Sequence, residues 1–263
     1  VTPGVQHPTR LGRAFFIAYG VASYLVFLAS LLYAVGFVGN LLVPKSIDSG
    51  ASARFPAALL VDTVLLLLFA VPHSVMARPA FKRWWTKLVP PPVERSTYVL
   101  VSSLLLGLLF WQWRPIPAVV WNVGHPAGRW LLHAVFWAGW ALVLGSTFLI
   151  DHFDLFGLRQ VYFYASGREY TPPAFRTPGL YRYVRHPLMT GFLLAFWATA
   201  TMTVGHLLFA VATTGYILIA LQLEERDLVG CHGEQYRAYR KQVGMLLPLP
   251  RAPKSSLKSP PSG

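Results

Sequence analysis

Residues 57–77 read Ala-Ala-Leu-Leu-Val-Asp-Thr-Val-Leu-Leu-Leu-Leu-Phe-Ala-Val-Pro-His-Ser-Val-Met-Ala, with Asp62 and His73 as the ionisable side chains. A helix rises about 1.5 Å per residue, so about 20 apolar residues cross the ~30 Å hydrocarbon layer. In lipid the backbone must satisfy its own hydrogen bonds, which makes such a run a helix. Further apolar segments lie at about 15–39, 97–113, 129–150, 187–201 and 205–223. The last two are separated by Met202, Thr203 and Val204, which predicts a tight helical hairpin. The expected fold class is therefore all-α: a polytopic integral membrane protein of about five to six transmembrane helices with a C-terminal helical hairpin.

Composition agrees with that reading. Of 263 residues, 54% are hydrophobic and 13% charged, against roughly 25% charged in a soluble domain. The net charge of +13 invites a nucleic-acid partner, but its placement argues against one. With the N-terminus inside, segments 1–14, 78–95, 151–186 and 224–263 carry 2, 5, 5 and 7 Lys/Arg, 19 of the 23. The outer side keeps Lys45, Arg54, Arg114 and Arg129. This is the positive-inside asymmetry, and it puts both termini in the cytosol. The same charges would also hold the protein against anionic membrane lipid. The single cysteine, Cys231, rules out a disulfide within the chain. No cleavable signal peptide is expected, because the first apolar run is long enough to span.

The whole chain, 1–263, reads as a single membrane domain. Residues 1–150 hold the N-terminal transmembrane helices, and 151–248 are a more polar region with five tyrosines before residue 184. The Pro/Ser/Lys-rich tail 249–263 is expected to be disordered. Residues 44–56 and 114–128 are outer loops, and 78–95 mixes basic residues with Trp84, Trp85 and Pro90 to Pro92, as befits the headgroup level.

Chemistry concentrates near Arg185-His186-Pro187. Proline suits the first helical position, so the N–H groups of Leu188, Met189 and Thr190 face the cytosolic interface with partial positive charge. An anion such as a carboxylate fits there, and Arg185 adds a charge-assisted bond. Gly191 permits close approach to the helix backbone. Glu224 and Glu225 end the last apolar segment, where the helix terminus is already negative, so something cationic must compensate. A hairpin brings the two places together as a seat for a zwitterion. Asp151, His152 and Asp154 form a third ionisable group at a membrane boundary. Asp62 reads as solvated near the outer interface, and His73 as a core or pocket histidine. The histidines lack H-x-x-x-H and H-E-x-x-H spacing, so no metal site is expected. Walker A, G-x-G-x-x-G and G-x-S-x-G sequences are also absent.

Arg185-His186-Pro187 with Gly191, then Glu224-Glu225, then Tyr236 and Tyr239, resemble the C-terminal half of the isoprenylcysteine carboxyl methyltransferase superfamily over about residues 179–248. Met189 stands where many members carry Tyr. Four further stretches are similar to the NnrU-like branch: His73-Ser74, Glu94 to Tyr98, His152 to Gln160 and Thr199 to Phe209. The resemblance implies S-adenosylmethionine as cofactor, bound between the final helices and a cytosolic tail. It implies methylation of a small thiol, methanethiol to dimethyl sulfide, with hydrogen sulfide as another acceptor. On that basis Arg185 and His186 take the cofactor carboxylate beside Pro187 and Gly191, Glu224 or Glu225 takes the ammonium, and Tyr181, Tyr236 and Tyr239 pack near the adenosine. His152 is the expected base, oriented by Asp154, with Tyr183 and His73 as further catalytic candidates. The expected location is the bacterial inner membrane. Alternative readings are methylation of a prenylcysteine carboxylate or a phospholipid, a sterol-reductase-type enzyme, and a non-enzymatic accessory protein.

Overall fold

A computed structural model describes residues 9–248; the tail read as disordered, 249–263, lies outside them. Five helices are long and apolar enough to cross a membrane: α1 (Arg10–Gly39), α2 (Phe55–Ala77), α4 (Pro91–Gln112), α5 (Pro126–Ile150) and α9 (Val204–Gln242). Short helices α3 (Pro79–Trp85), α6 (His152–Leu155), α7 (Leu158–Ala165) and α8 (Pro187–Trp197) complete the bundle. Their outer faces are apolar and exposed, with Leu60, Leu67, Trp111, Trp130 and Leu131 among them. An apolar surface this extensive has lipid as its solvent.

The helices begin earlier than hydropathy suggests because their start signals lie in polar sequence. Thr9 caps α1 by accepting from Gly12 N at 3.1 Å. Proline in the first turn opens α2, α3, α4, α5 and α8. α9 runs well past the end of its apolar stretch at residue 223, with a non-helical residue at Gly233 (φ 54°).

The fifth apolar segment is only partly helical. α8 has 11 residues, about half of a span. The chain then extends as β2 (Thr201–Thr203), antiparallel to β1 (Val119–Asn122), with a bulge between Val119 and Trp121. Extended backbone at this depth is tolerated because it is paired and buried: Met202 is 0% exposed. α8 and α9 still fold back on one another, Phe196 meeting Phe209 at 5.0 Å and Trp197 Nε1 donating to Thr214 at 3.0 Å.

α8 lies closest to α5. A Cβ on Gly139 would sit 2.7 Å from Gly191 O, and one on Gly191 would sit 2.7 Å from Gly139 O. Small residues bring these two backbones into contact. The group that approaches Gly191 is thus the α5 backbone.

The core gathers around Phe37, Phe110, Trp113, Trp140 and Phe209. Asp62 is also there, and the solvated reading is corrected: it is 0% exposed and accepts from Arg114 N at 2.8 Å. That bond fastens the turn after α4, as a buried carboxylate requires.

Candidate active site

The start of α8 and the distal half of α9 meet through one acid. Glu225, 1% exposed, accepts from Arg185 Nε at 2.6 Å on Oε1 and lies 3.1 Å from His186 Nε2. Arg240 Nε is in ion-pair contact with its other oxygen at 3.1 Å. Arg185 also donates to the carbonyls of Arg240 (3.1 Å) and Val243. The chain after α9 returns along the start of α8: Arg185 N donates to Gly244 O (2.8 Å), His186 N to Met245 O (3.1 Å), and Thr190 Oγ1 to Leu246 O (2.8 Å). Pro187 at the first position of α8 directs the preceding two residues into this pairing.

The two predicted seats are therefore adjacent, but they face one another. Arg185 and Glu225 satisfy each other in a buried cluster instead of presenting opposite charges to a ligand. Glu224 is the acid with charge to spare. Its side chain is 47% exposed, 3.9 Å from His186 Nδ1. It lies within electrostatic reach of Tyr98, Tyr181 and Tyr216. The Tyr181 hydroxyl, burial first and Glu224 second, is pushed well above its ordinary pKa.

Aromatic walls flank this acid. Phe175 packs edge-on against Tyr236 (5.7 Å) and Tyr239 (5.6 Å), and Tyr239 OH donates to Tyr181 O at 2.5 Å. Tyr236 is fully buried. Tyr183, at the end of the 3-10 turn Gly179–Arg182, is 51% exposed.

The opposite wall comes from α2 and α4. His73 Nδ1 is 3.0 Å from Ser102 Oγ, and Tyr98 OH is 2.9 Å from His73 Nε2. Arg95 lies over the Tyr98 ring at 5.1 Å. Ser74 Oγ donates to Tyr216 OH at 3.4 Å, and Arg78 pairs with Asp227 at 2.9 Å, tying the end of α2 to α9.

His152 is elsewhere. It is 5% exposed, with Nε2 2.8 Å from Tyr24 OH and Nδ1 2.8 Å from Thr147 Oγ1. Its ring stacks on Phe148 at 4.3 Å. Burial holds its pKa below the ordinary histidine value. Asp154 does not orient it: its carboxylate accepts from Tyr170 OH at 2.8 Å and lies 3.8 Å from Arg159. Burial, and then the bond to Asp154, push the Tyr170 hydroxyl up to about 12.

Tyr98, Tyr216, Arg240 and Ser102 received no role from sequence. A signal existed for Tyr216, two turns before Glu224 on the same helix face.

The family model described as "NnrU protein" matches residues 62–227. The chain belongs to the NnrU family. That match takes in His73, Tyr98, Arg185 and the Glu224-Glu225 pair, and ends before Tyr236 and Tyr239. Among relatives, the NnrU chain is 60% identical over 238 residues to the methanethiol S-methyltransferase of Mycobacterium tuberculosis, covering 90% of this chain and 98% of that protein. It is 57% identical over 239 residues to the methanethiol S-methyltransferase of Crocosphaera subtropica, covering 91% and 94%. It is also 29% identical over 231 residues to Nurim of Bos taurus, covering 82% and 86%. No solved structure matches this NnrU chain.

Proposed function

We propose that this protein is an S-adenosylmethionine-dependent thiol S-methyltransferase that converts methanethiol to dimethyl sulfide. The observation that carries the reading is the 60% identity to a methanethiol S-methyltransferase over nearly the whole of both chains. The site's chemistry fits the cofactor. S-adenosylmethionine brings an ammonium and a sulfonium against one carboxylate, and Glu224 is an acid with uncommitted charge among tyrosines. Glu224 would take the cationic end. Arg240, 40% exposed, would receive the carboxylate, while Arg185, His186 and Glu225 hold α8, α9 and the returning strand in register. Tyr181 and Tyr239, with Phe175, would wall the adenosine.

When bound, the cofactor supplies a methyl group on a positively charged sulfur. The protein's work is to place the acceptor and remove its proton. A cysteine-like thiol has a pKa near ~8.5, so only a few per cent is thiolate at neutral pH. Tyr98 and His73 form the proton path. Tyr98 O accepts the thiol proton as its own passes to His73 Nε2, 2.9 Å away. Ser102 holds the other ring nitrogen at 3.0 Å. His152, with both nitrogens engaged, anchors α6 to α1 and α5. In sum the thiol S–H bond and the sulfonium–methyl bond would break, a new carbon–sulfur bond would form on the thiol, and one proton would be released along with the demethylated cofactor, now an uncharged thioether.

The apolar spans make the protein an integral membrane protein, and the charge bias supports an inner membrane location with both termini cytosolic. Purified protein with S-adenosylmethionine should release dimethyl sulfide from methanethiol, and methanethiol from hydrogen sulfide, by headspace chromatography. Methylation of a farnesylcysteine analogue with no volatile product would replace this reading.

A further inference from the structure

A cavity of about 660 Å³ opens on the cytosolic face beneath α3, away from the Arg185–Glu225 cluster. It is bounded by α3, the start of α4, the end of α5, and the chain through α6 and α7 to Tyr170. Its size is that of a small-ligand site.

Its charge is not balanced from within. Lys82, Arg83, Arg95 and Arg168 line it. Among the described residues none of the four has a carboxylate within 4.0 Å. Two of its three acids are committed to Arg159, Asp151 at 2.9 Å and Asp154 at 3.8 Å, which leaves Glu94. Burial, and then Arg95, hold the Lys82 ammonium below its ordinary pKa. Surplus positive charge in a recess asks for an anion with several acceptor oxygens.

The position says where that anion comes from. Trp84 and Leu88, beside the cavity-lining Arg83 and Thr86, are 52% and 66% exposed. Tryptophan beside basic residues marks the headgroup layer. A phosphate entering sideways from the bilayer would leave its acyl chains on these apolar residues, whereas a phosphate from solution gains nothing from them. We propose that this cavity holds the headgroup phosphate of an anionic phospholipid from the cytosolic leaflet. Basic recesses between membrane helices on that side are suited to acidic headgroups. The binding does not depend on the methyl-transfer reading: of the lining residues Arg95 touches Tyr98, and the variants below leave Arg95 unchanged.

Native mass spectrometry of the full chain tests it. Wild type should retain one phosphatidylglycerol and release phosphatidylcholine. The variant Lys82→Ala/Arg83→Ala should bind phosphatidylglycerol about thirtyfold more weakly, two basic contacts being removed. Lys87→Ala, a single charge loss on the same face outside the cavity lining and the match for Arg168→Ala, should bind as wild type. Arg168→Ala, at an exposed position, gives a second reading should the double variant fail to fold; it should bind several-fold more weakly. Equal retention of the two lipids by wild type would overturn the proposal. So would wild-type retention by both lining variants, or saturation by glycerol 3-phosphate with phosphatidylglycerol excluded.

Discussion

Arg185 Nε donates to Glu225 Oε1 at 2.6 Å, with the two side chains 8% and 1% exposed. The bond joins the residue two before the start of α8 to α9, and the chain after α9 pairs with the same stretch through Arg185 N and Gly244 O. Both charges are desolvated, so each is tolerated only while the other is present.

Removing one partner should therefore unfold the site before it changes the chemistry. Glu225→Ala leaves a buried guanidinium uncompensated and should destabilise by about 3–5 kcal/mol. Glu224→Gln, at a half-exposed carboxylate, should shift stability by less than about 0.5 kcal/mol. It should nevertheless raise the KM for S-adenosylmethionine tenfold or more. Thermal unfolding in detergent beside initial rates separates the two acids; equal melting losses would remove the distinction.

A second pair of substitutions addresses the proton path. His73→Ala and Tyr98→Phe should each lower kcat by roughly 100- to 10,000-fold, with cofactor binding retained. Activity should recover in part at high pH, where the thiol ionises without help. A flat pH response in either variant would count against the pair.

His152 makes a pH prediction of another kind. Its pKa is depressed in the folded protein by burial, so the unfolded chain binds more protons as pH falls. Its contribution is intact above the unfolded value of about 6.5 and is lost as pH drops towards the folded one. The melting temperature of wild type should fall between pH 7 and pH 5 more steeply than that of His152→Gln. Parallel melting curves would contradict this.

The α5–α8 contact is testable by single methyl groups. Gly191→Ala would place a Cβ 2.7 Å from Gly139 O and 2.8 Å from Val143 N. Backbone cannot yield as a side chain can, so the loss should reach about 1–3 kcal/mol or more. Gly215→Ala, with nothing within 4 Å, should be neutral or slightly stabilising. Melting temperatures of the two variants provide the comparison.

Hydropathy made the spans legible. The fifth segment misled because Ala198 to Ala200 keep it apolar while the backbone leaves the helix to pair with β1. The nearness of Arg185 and Glu225 followed from the hairpin. Their direct bond did not, because the direction of a side chain is set by packing. His152 and Asp154 looked like a pair because they are close in sequence. Two residues apart on a helix they do not face one another, and Tyr24, from α1, claims the imidazole instead. Tyr98 lay within a quoted stretch, but its role depends on α2 bringing His73 within 2.9 Å.

On the proposed function, Glu224 positions a methyl donor for attack by a small thiol. Its most direct test supplies S-adenosylmethionine with a trideuterated methyl group, together with methanethiol, and weighs the volatile product. Wild type should yield dimethyl sulfide carrying all three deuteriums, and folded Glu224→Gln at limiting cofactor should yield at least tenfold less. Unlabelled product, no product from folded wild type, or an undiminished yield from Glu224→Gln would contradict the account.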